Sequence, residues 1–333
     1  MNRRYVNHMK KIKLGVGLWC VSFASDRFVG GGYRAPRSLK EQIESVAKIP
    51  GAESFDLHTS DLEGVNTRDI TKMAKDNGLK INALNPNIFG DRIFKYGAFT
   101  NTDPKIWRKA VDLGKESLDM ARELGASVSS LWPGQDGFDY MFQNNYDHQW
   151  EKTVAALQEI CDYAPSMKIG YEYKPKEPRM FSLVGSAGKA LCLVNEADRK
   201  NLGVVMDYGH SLFAGENPAE ALCFLDHAGK LFNVHFNDAY GNWDDDLIAG
   251  SVNIWQNLEF MWYLKSSSYD GYVTLDMFPY REDPIEACSL AIRMIRSIEK
   301  VADKLDKKKI RQFQEKSDAA AVLEYLRKVI FGR

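Results

Sequence analysis

The run Lys168-Ile169-Gly170-Tyr171-Glu172-Tyr173-Lys174 is followed by a helix-periodic segment over 185–195 and then by Gly203-Val204-Val205-Met206-Asp207. A short β-rich run, a helix and a second β-rich run form a βα unit, whose two strands lie parallel because the helix carries the chain back along the sheet. The same period recurs in both directions from this unit. Strands are predicted over 13–20, 53–58, 80–84, 128–132, 168–174, 203–207, 231–237 and 272–277, and helices over 38–48, 67–77, 103–124, 146–163, 185–195, 218–228, 252–265 and 284–301. Several ends are legible: Asp103-Pro104 reads as an N-cap with proline at the first helical position, and Asn77-Gly78 and Leu124-Gly125 as C-terminal stops. Eight βα units without a long linker imply an α/β fold closed into a (β/α)8 barrel over residues 1–303. The remaining segment, 304–333, is charged but carries Val322, Leu323, Tyr325, Leu326, Val329 and Ile330 at helical spacing, and is predicted to form an appended C-terminal helix.

Composition narrows the function. The 333 residues carry 44 Lys and Arg against 45 Asp and Glu, with 44% hydrophobic and 27% charged residues, as in an ordinary globular domain with a sizeable core. A balanced charge argues against a nucleic-acid partner, whose polyphosphate demands a basic face. No stretch approaches about 18 apolar residues, so no membrane partner is expected. The run 14–24 is interrupted by polar and glycine positions and does not read as an export signal. Five cysteines, Cys20, Cys161, Cys192, Cys223 and Cys288, are odd in number and lack a C-x-x-C pair, which points to a reducing, cytoplasmic setting. Met9 is a second candidate start.

Ionisable residues stand where barrel enzymes keep their chemistry, at the C-terminal ends of the strands. His58 closes the second predicted strand, Glu172 and Lys174 the fifth, Asp207 the sixth with His210 just beyond, and His235 and Asp276 lie on the seventh and eighth; between those two comes Trp243-Asp244-Asp245-Asp246. Taken singly, an aspartate at a strand end is often the N-cap of the next helix. Together, so many carboxylates and imidazoles at one mouth would repel one another or stay buried and unpaired, and cations are the simplest remedy. A mixed carboxylate–imidazole set favours Mg, Mn or Co. The spacing suggests two ions: Asp244 and Asp246 face one with Asp207 and His210, while Glu172, His235, Asp276 and again Asp207 enclose the other. Asp245 points away, as a solvated loop carboxylate.

Phe94-Lys95-Tyr96-Gly97-Ala98-Phe99-Thr100, Leu131-Trp132, Glu172-Tyr173-Lys174-Pro175-Lys176-Glu177-Pro178-Arg179, Gly209-His210 and the loop Asp244, Asp246, Leu247 resemble, in the same order, the motifs of xylose isomerase, a TIM barrel enzyme. The resemblance covers about the first 300 residues. It implies a two-metal aldose–ketose isomerase with Glu172, Asp207, His235 and Asp276 at the substrate-binding metal and Asp207, His210, Asp244 and Asp246 at the catalytic one. It also implies that Asp61 backs His58, that Trp19, Phe94 and Trp132 wall the sugar with Asn237 as a further contact, and that Glu177-Pro178 is a cis peptide. Phe28, on the Gly30-Gly31-Gly32 loop, matches an aromatic that reaches into a neighbouring subunit, which implies a homo-oligomer, a dimer or tetramer. The sequence departs from xylose isomerase at His235 and Asp207, where that enzyme carries a carboxylate and a glutamate; this pair is more similar to L-rhamnose isomerase. Phe278 stands where a cation is usual, and Ser130 is polar where the family is apolar. Both are candidate specificity positions.

The residue chemistry suits isomerisation of a monosaccharide. His58 is placed to open the sugar ring as a general acid–base, Lys174 lies on the same strand face as Glu172 and can stabilise charge developing on O1, and aromatic walls exclude water during a 1,2-hydride shift. The alternatives are a ketose epimerase of the same fold, which needs one metal and two flanking carboxylates, and a metal-dependent DNA phosphodiesterase resembling endonuclease IV, which needs a basic rim and a third metal. A non-catalytic sugar-binding barrel would have no use for the full ligand set.

Overall fold

The computed structural model describes residues 10–332; the second candidate start, Met9, lies outside them. Eight parallel strands close into a barrel: β1 (Lys13–Gly17), β2 (Ser54–His58), β3 (Lys80–Asn85), β4 (Val128–Leu131), β5 (Ile169–Glu172), β6 (Leu202–Asp207), β7 (Leu231–Phe236) and β8 (Tyr272–Leu275), each paired with its neighbour in sequence and β8 with β1. The helices α1 (Leu39–Ala47), α2 (Thr67–Asp76), α3 (Pro104–Leu124), α4 (Tyr146–Tyr163), α5 (Ala187–Ala197), α6 (Tyr208–Phe213), α7 (Pro218–His227), α8 (Ile254–Ser266) and α9 (Pro284–Asp303) surround it. This is the TIM barrel fold. The strands stop earlier than the β-rich runs suggest, so Trp132, Lys174, Asn237 and Asp276 stand just past strand ends.

Helix starts follow the sequence closely. Asp103 accepts the Lys105 amide at 2.8 Å ahead of Pro104, and Asn217 and Asp283 do the same ahead of Pro218 and Pro284. Gly125 ends α3 in the left-handed conformation at φ 70°. Leu118, Ala121, Leu157, Ile160, Leu193 and Val194 are wholly buried on the inner faces of α3, α4 and α5. No helix among the described residues is long and apolar enough to cross a membrane.

Two expectations are corrected. The C-terminal segment forms not one helix but two, α10 (Lys307–Glu315) and α11 (Ala319–Phe331), because Ser317 turns left-handed at φ 50° and Asp318 then caps a new start at the Ala321 amide. Their apolar residues pack on the hydrophobic core, with Ile310 buried and Val322, Leu326 and Val329 partly so, and Phe331 meets Trp255 of α8. The Glu177–Pro178 bond is trans, since no described residue has a cis peptide. Pro178 sits in a tight turn that Glu177 N–H closes on the Met180 carbonyl at 3.0 Å, and a trans proline suits its second position.

The loops above the barrel are tied together by one buried carboxylate. Asp136, after β4, accepts the amides of Ala98, Phe99 and Thr100 and the Thr100 hydroxyl, the last at 2.8 Å. The loop after β3 is thereby clamped to the loop that follows Trp132. Asp136→Ala leaves those buried donors unpaired and is expected to lower the unfolding free energy by about 3 kcal/mol. Chemical denaturation tests this; an unchanged midpoint would contradict the clamp.

Candidate active site

Strand alternation decides what the mouth contains. Residues two apart share a face, so β2 turns Asp56 and His58 inward, β7 turns Asn233 and His235 inward, and Thr274 at the end of β8 stands below Asp276. The upper layer carries two groups of metal-ligand type. Glu172, Asp207, His235 and Asp276 bring ligand atoms within 4.8 Å of one another, and so do Asp207, His210 and Asp244. Asp207 belongs to both.

Each imidazole has two distinct edges. His210 Nδ1 lies 2.9 Å from the Tyr173 carbonyl and Nε2 lies 3.2 Å from Asp244 Oδ2. A carbonyl only accepts, so Nδ1 carries a hydrogen, and Nε2 is the edge turned to the carboxylates. His235 Nδ1 stands 3.1 Å from Glu172 Oε1 and 3.2 Å from Asp276 Oδ2. Gly209 permits this packing, because a Cβ there would come 2.5 Å from Asn237 Oδ1. Asn237 donates to Asp207 Oδ2 at 3.2 Å and to Asp246 Oδ1 at 3.4 Å.

The electrostatics are those of crowded, desolvated like charges. Burial first, then Asp276, Asp244 and Glu172, push the Asp207 carboxyl up to about 7 against the pull of His210. Burial alone would lower His210, but Asp207 and Asp244 raise it to about 10. Asp246 is driven up by burial and by Asp244, whereas Lys174 and His210 overcome burial to hold Asp244 well below the usual carboxylate range. Asp244 Oδ1 is buried without a hydrogen-bond partner. An unpaired buried carboxylate oxygen, hard O and N donors and no thiolate fit divalent cations of the Mg, Mn or Co type.

Lys174 Nζ lies 2.8 Å from Asp244 Oδ2 and 2.6 Å from Glu177 Oε1, with its charge 5.3 Å from the centre of the Trp132 ring. Its role as a partner of the ligand carboxylates is therefore visible, and an ammonium still has a third hydrogen to offer. Asp246 is less tightly gathered than its neighbours: left-handed at φ 49°, it meets Asn237 but stands outside the compact groups. Asp245 accepts the Tyr240 amide at 2.8 Å and shapes the loop.

A cavity of about 180 Å³ opens above the carboxylates, lined by Trp19, His58, Phe89, Trp132, Lys174 and Phe278 among others. Trp19 Nε1 donates to Asp276 Oδ1 at 2.5 Å, and its ring lies 4.8 Å from that of His58. Phe94 does not share this wall. It ends a short 3₁₀ turn, Arg92–Phe94, and is 1% exposed in the hydrophobic core, while Phe89 from the same loop takes the place beside Trp132. Ser130 also lies elsewhere, in the barrel interior beside Asn233. Phe28 is 77% exposed, and Asp26 braces its loop by accepting the Phe28 and Val29 amides. Asp61 accepts the His58 backbone amide at 2.8 Å, and its carboxylate stands 3.9 Å from Nδ1.

Asp56, Asn82, Asn85 and Phe89 were not singled out by the sequence reading. Asp56 had a signal: a polar residue two before a strand-end histidine must point into the barrel, an interior that branched aliphatics usually fill.

The xylose isomerase-like TIM barrel family matches residues 43–312, and the chain belongs to that family. It is 30% identical over 285 residues to the xylose isomerase of Thermus thermophilus, covering 81% of this chain and 73% of that one. The Thermus caldophilus xylose isomerase is 29% identical over the same shares. Among solved structures, an L-ribulose 3-epimerase superposes with a TM-score of 0.71 at 16% identity, covering 93% of this chain and 99% of that one. The IOLI protein with a bound zinc atom superposes at 0.65 and 20% identity, covering 88% and 100%. At such identities these structures establish the fold.

His58 lies between Trp19 and Phe89, and desolvation lowers its pKa below the ordinary 6.5 despite Asp61, Asp276 and Glu172. An NMR titration is expected to place its midpoint under 6.5, leaving the ring neutral at pH 7; a midpoint above 7 would contradict this environment.

Proposed function

We propose that the protein is a divalent-metal-dependent aldose–ketose isomerase that acts on a monosaccharide by a 1,2-hydride shift. The observation that carries this reading is the second ligand group, Asp207, His210 and Asp244, set beside the first and backed by Lys174. Glu172, Asp207, His235 and Asp276 would hold one ion, and Asp207, His210 and Asp244, with Asp246 nearby, the other. Two ions there supply Lewis-acid polarisation of the sugar oxygens. The Thermus relatives named xylose isomerase support the same reading.

The chain's own groups account for the rest. Neutral His58, open to the cavity, exchanges a proton with the ring oxygen when the sugar opens, and Asp61 holds its backbone amide in register. The third hydrogen of Lys174 Nζ is directed at charge developing on O1. Trp19, Phe89, Trp132 and Phe278 keep water from a hydrogen in transit between C1 and C2. The exposed Phe28 is suited to a neighbouring subunit of a homo-oligomer, and the free cysteines accord with a reducing cytoplasm. A ketose epimerase would need the first ligand group alone, so the second favours isomerisation. A phosphodiesterase acting on DNA would call for a basic rim, which 44 basic against 45 acidic residues do not favour.

The test is a ketose-formation assay on chelated protein over a panel of pentoses, 6-deoxyhexoses and branched pentoses, repeated with Mn, Mg or Co restored. Metal-dependent turnover of an aldose without solvent hydrogen entering the product is expected, and Lys174→Met should lower kcat about 100-fold. Metal-dependent epimerisation of a ketose with solvent hydrogen incorporated would overturn the isomerase reading.

A further inference from the structure

Directly beneath the ligand groups lies a closed polar layer inside the barrel. Asp56, Asn82, Ser130, Asn233 and Thr274 come from five strands or strand ends and are at most 1% exposed. A barrel interior is ordinarily filled by branched aliphatics, and burying a carboxylate there is costly unless it is both hydrogen-bonded and paired. Asp56 Oδ1 accepts from Asn82 Nδ2 at 2.9 Å and from the Thr274 hydroxyl at 3.0 Å. Its other oxygen, Oδ2, faces upward, 3.5 Å from His235 Nε2. Among the described residues its ion-pair partner is His235, with no lysine or arginine beside it.

We propose that Asp56 is a positioning residue that sets the tautomer of His235, taking the Nε2 hydrogen and leaving Nδ1 bare toward Glu172 and Asp276. The inference rests on the reading of His235 as a metal ligand. His235 differs in this from His210, whose non-ligating nitrogen is satisfied by the Tyr173 carbonyl; among the described residues no carbonyl serves His235 Nε2, and the layer below supplies a carboxylate instead. Asn233 is the other polar neighbour of this edge. Its Nδ2 lies 3.4 Å from Asp56 Oδ2, 3.4 Å from the Ser130 hydroxyl and 3.3 Å from His235 Nε2. An amide nitrogen donates and does not accept, so a hydrogen on Nε2 has no acceptor in Asn233 Nδ2, and Asp56 Oδ2 is the carboxylate oxygen within its reach.

Asp56→Asn tests this with little change in volume. The Asn82 and Thr274 donors would hold the new carbonyl oxygen, which turns the new amide toward Nε2 and favours hydrogen on Nδ1, the edge that faces the cluster. Calorimetric titration of chelated protein with Mn is expected to show binding at one of two sites weakened about 10- to 100-fold. Thr274→Val, which removes a donor to Asp56 Oδ1 but leaves the Asp56 carboxylate facing His235, should change it by less than about threefold. Equal losses in both variants would reduce Asp56 to a packing residue and overturn the proposal. A measurement on unsubstituted protein decides the matter even if Asp56→Asn does not fold: ¹⁵N NMR of the Mg-loaded form should show His235 protonated at Nε2 only. Mg bound with Nδ1 protonated would overturn the Asp56 assignment and leave the isomerase reading standing. Failure of the unsubstituted protein to bind either ion would overturn both.

Discussion

Asp207 is wholly buried at the end of β6 and belongs to both groups of metal-ligand residues, so the barrel mouth concentrates negative charge where water cannot screen it. Much of the surrounding architecture answers that constraint. His210, Lys174 and Asn237 each present hydrogens to the cluster or bring positive charge to it. Gly209 lets α6 approach closely enough for Asp207 to cap it through the His210 amide at 2.7 Å. The N-cap reading of Asp207 and its ligand reading are thus compatible: one oxygen accepts an amide hydrogen while the carboxylate as a whole faces the cluster.

The site is built in layers because the strands alternate. Residues of metal-ligand type and His58 occupy the mouth, a polar layer with Asp56 lies one pleat below, and aromatic rings from loops after β1, β3 and β4 form the wall above. Each layer constrains the next. Asp56 and Asn233 limit how the His235 ring can sit, and Asp136 fixes the loop beside Trp132 by holding the backbone of residues 98–100. Such support separates a cluster of acids from a site with defined geometry.

The strand count, the cap at Asp103 and the ring of carboxylates and imidazoles at strand ends were legible in the sequence, because each follows from a local period or a fixed offset from a strand end. What escaped depends on the third dimension. Phe94 and Phe89 lie on one loop, and only the turn between them determines which ring faces the cavity and which enters the core. Lys174 was read on the same strand face as Glu172, but the particular partners it meets, Asp244 and Glu177, depend on loops that meet across the mouth. The break at Ser317 falls in a run whose apolar spacing is continuous enough to suggest a single helix, and a left-handed serine leaves no strong mark in sequence. Asp56 was legible in principle, as a charged residue in phase with His58, yet its partners come from three other strands.

The proposed function requires that one mouth would hold two divalent ions, with Asp207 common to both groups of residues. Anomalous diffraction from crystals grown with Mn tests it most directly. Two anomalous peaks are expected, one among Glu172, Asp207, His235 and Asp276 and one among Asp207, His210 and Asp244. A single peak confined to the first group, at saturating Mn, would contradict it.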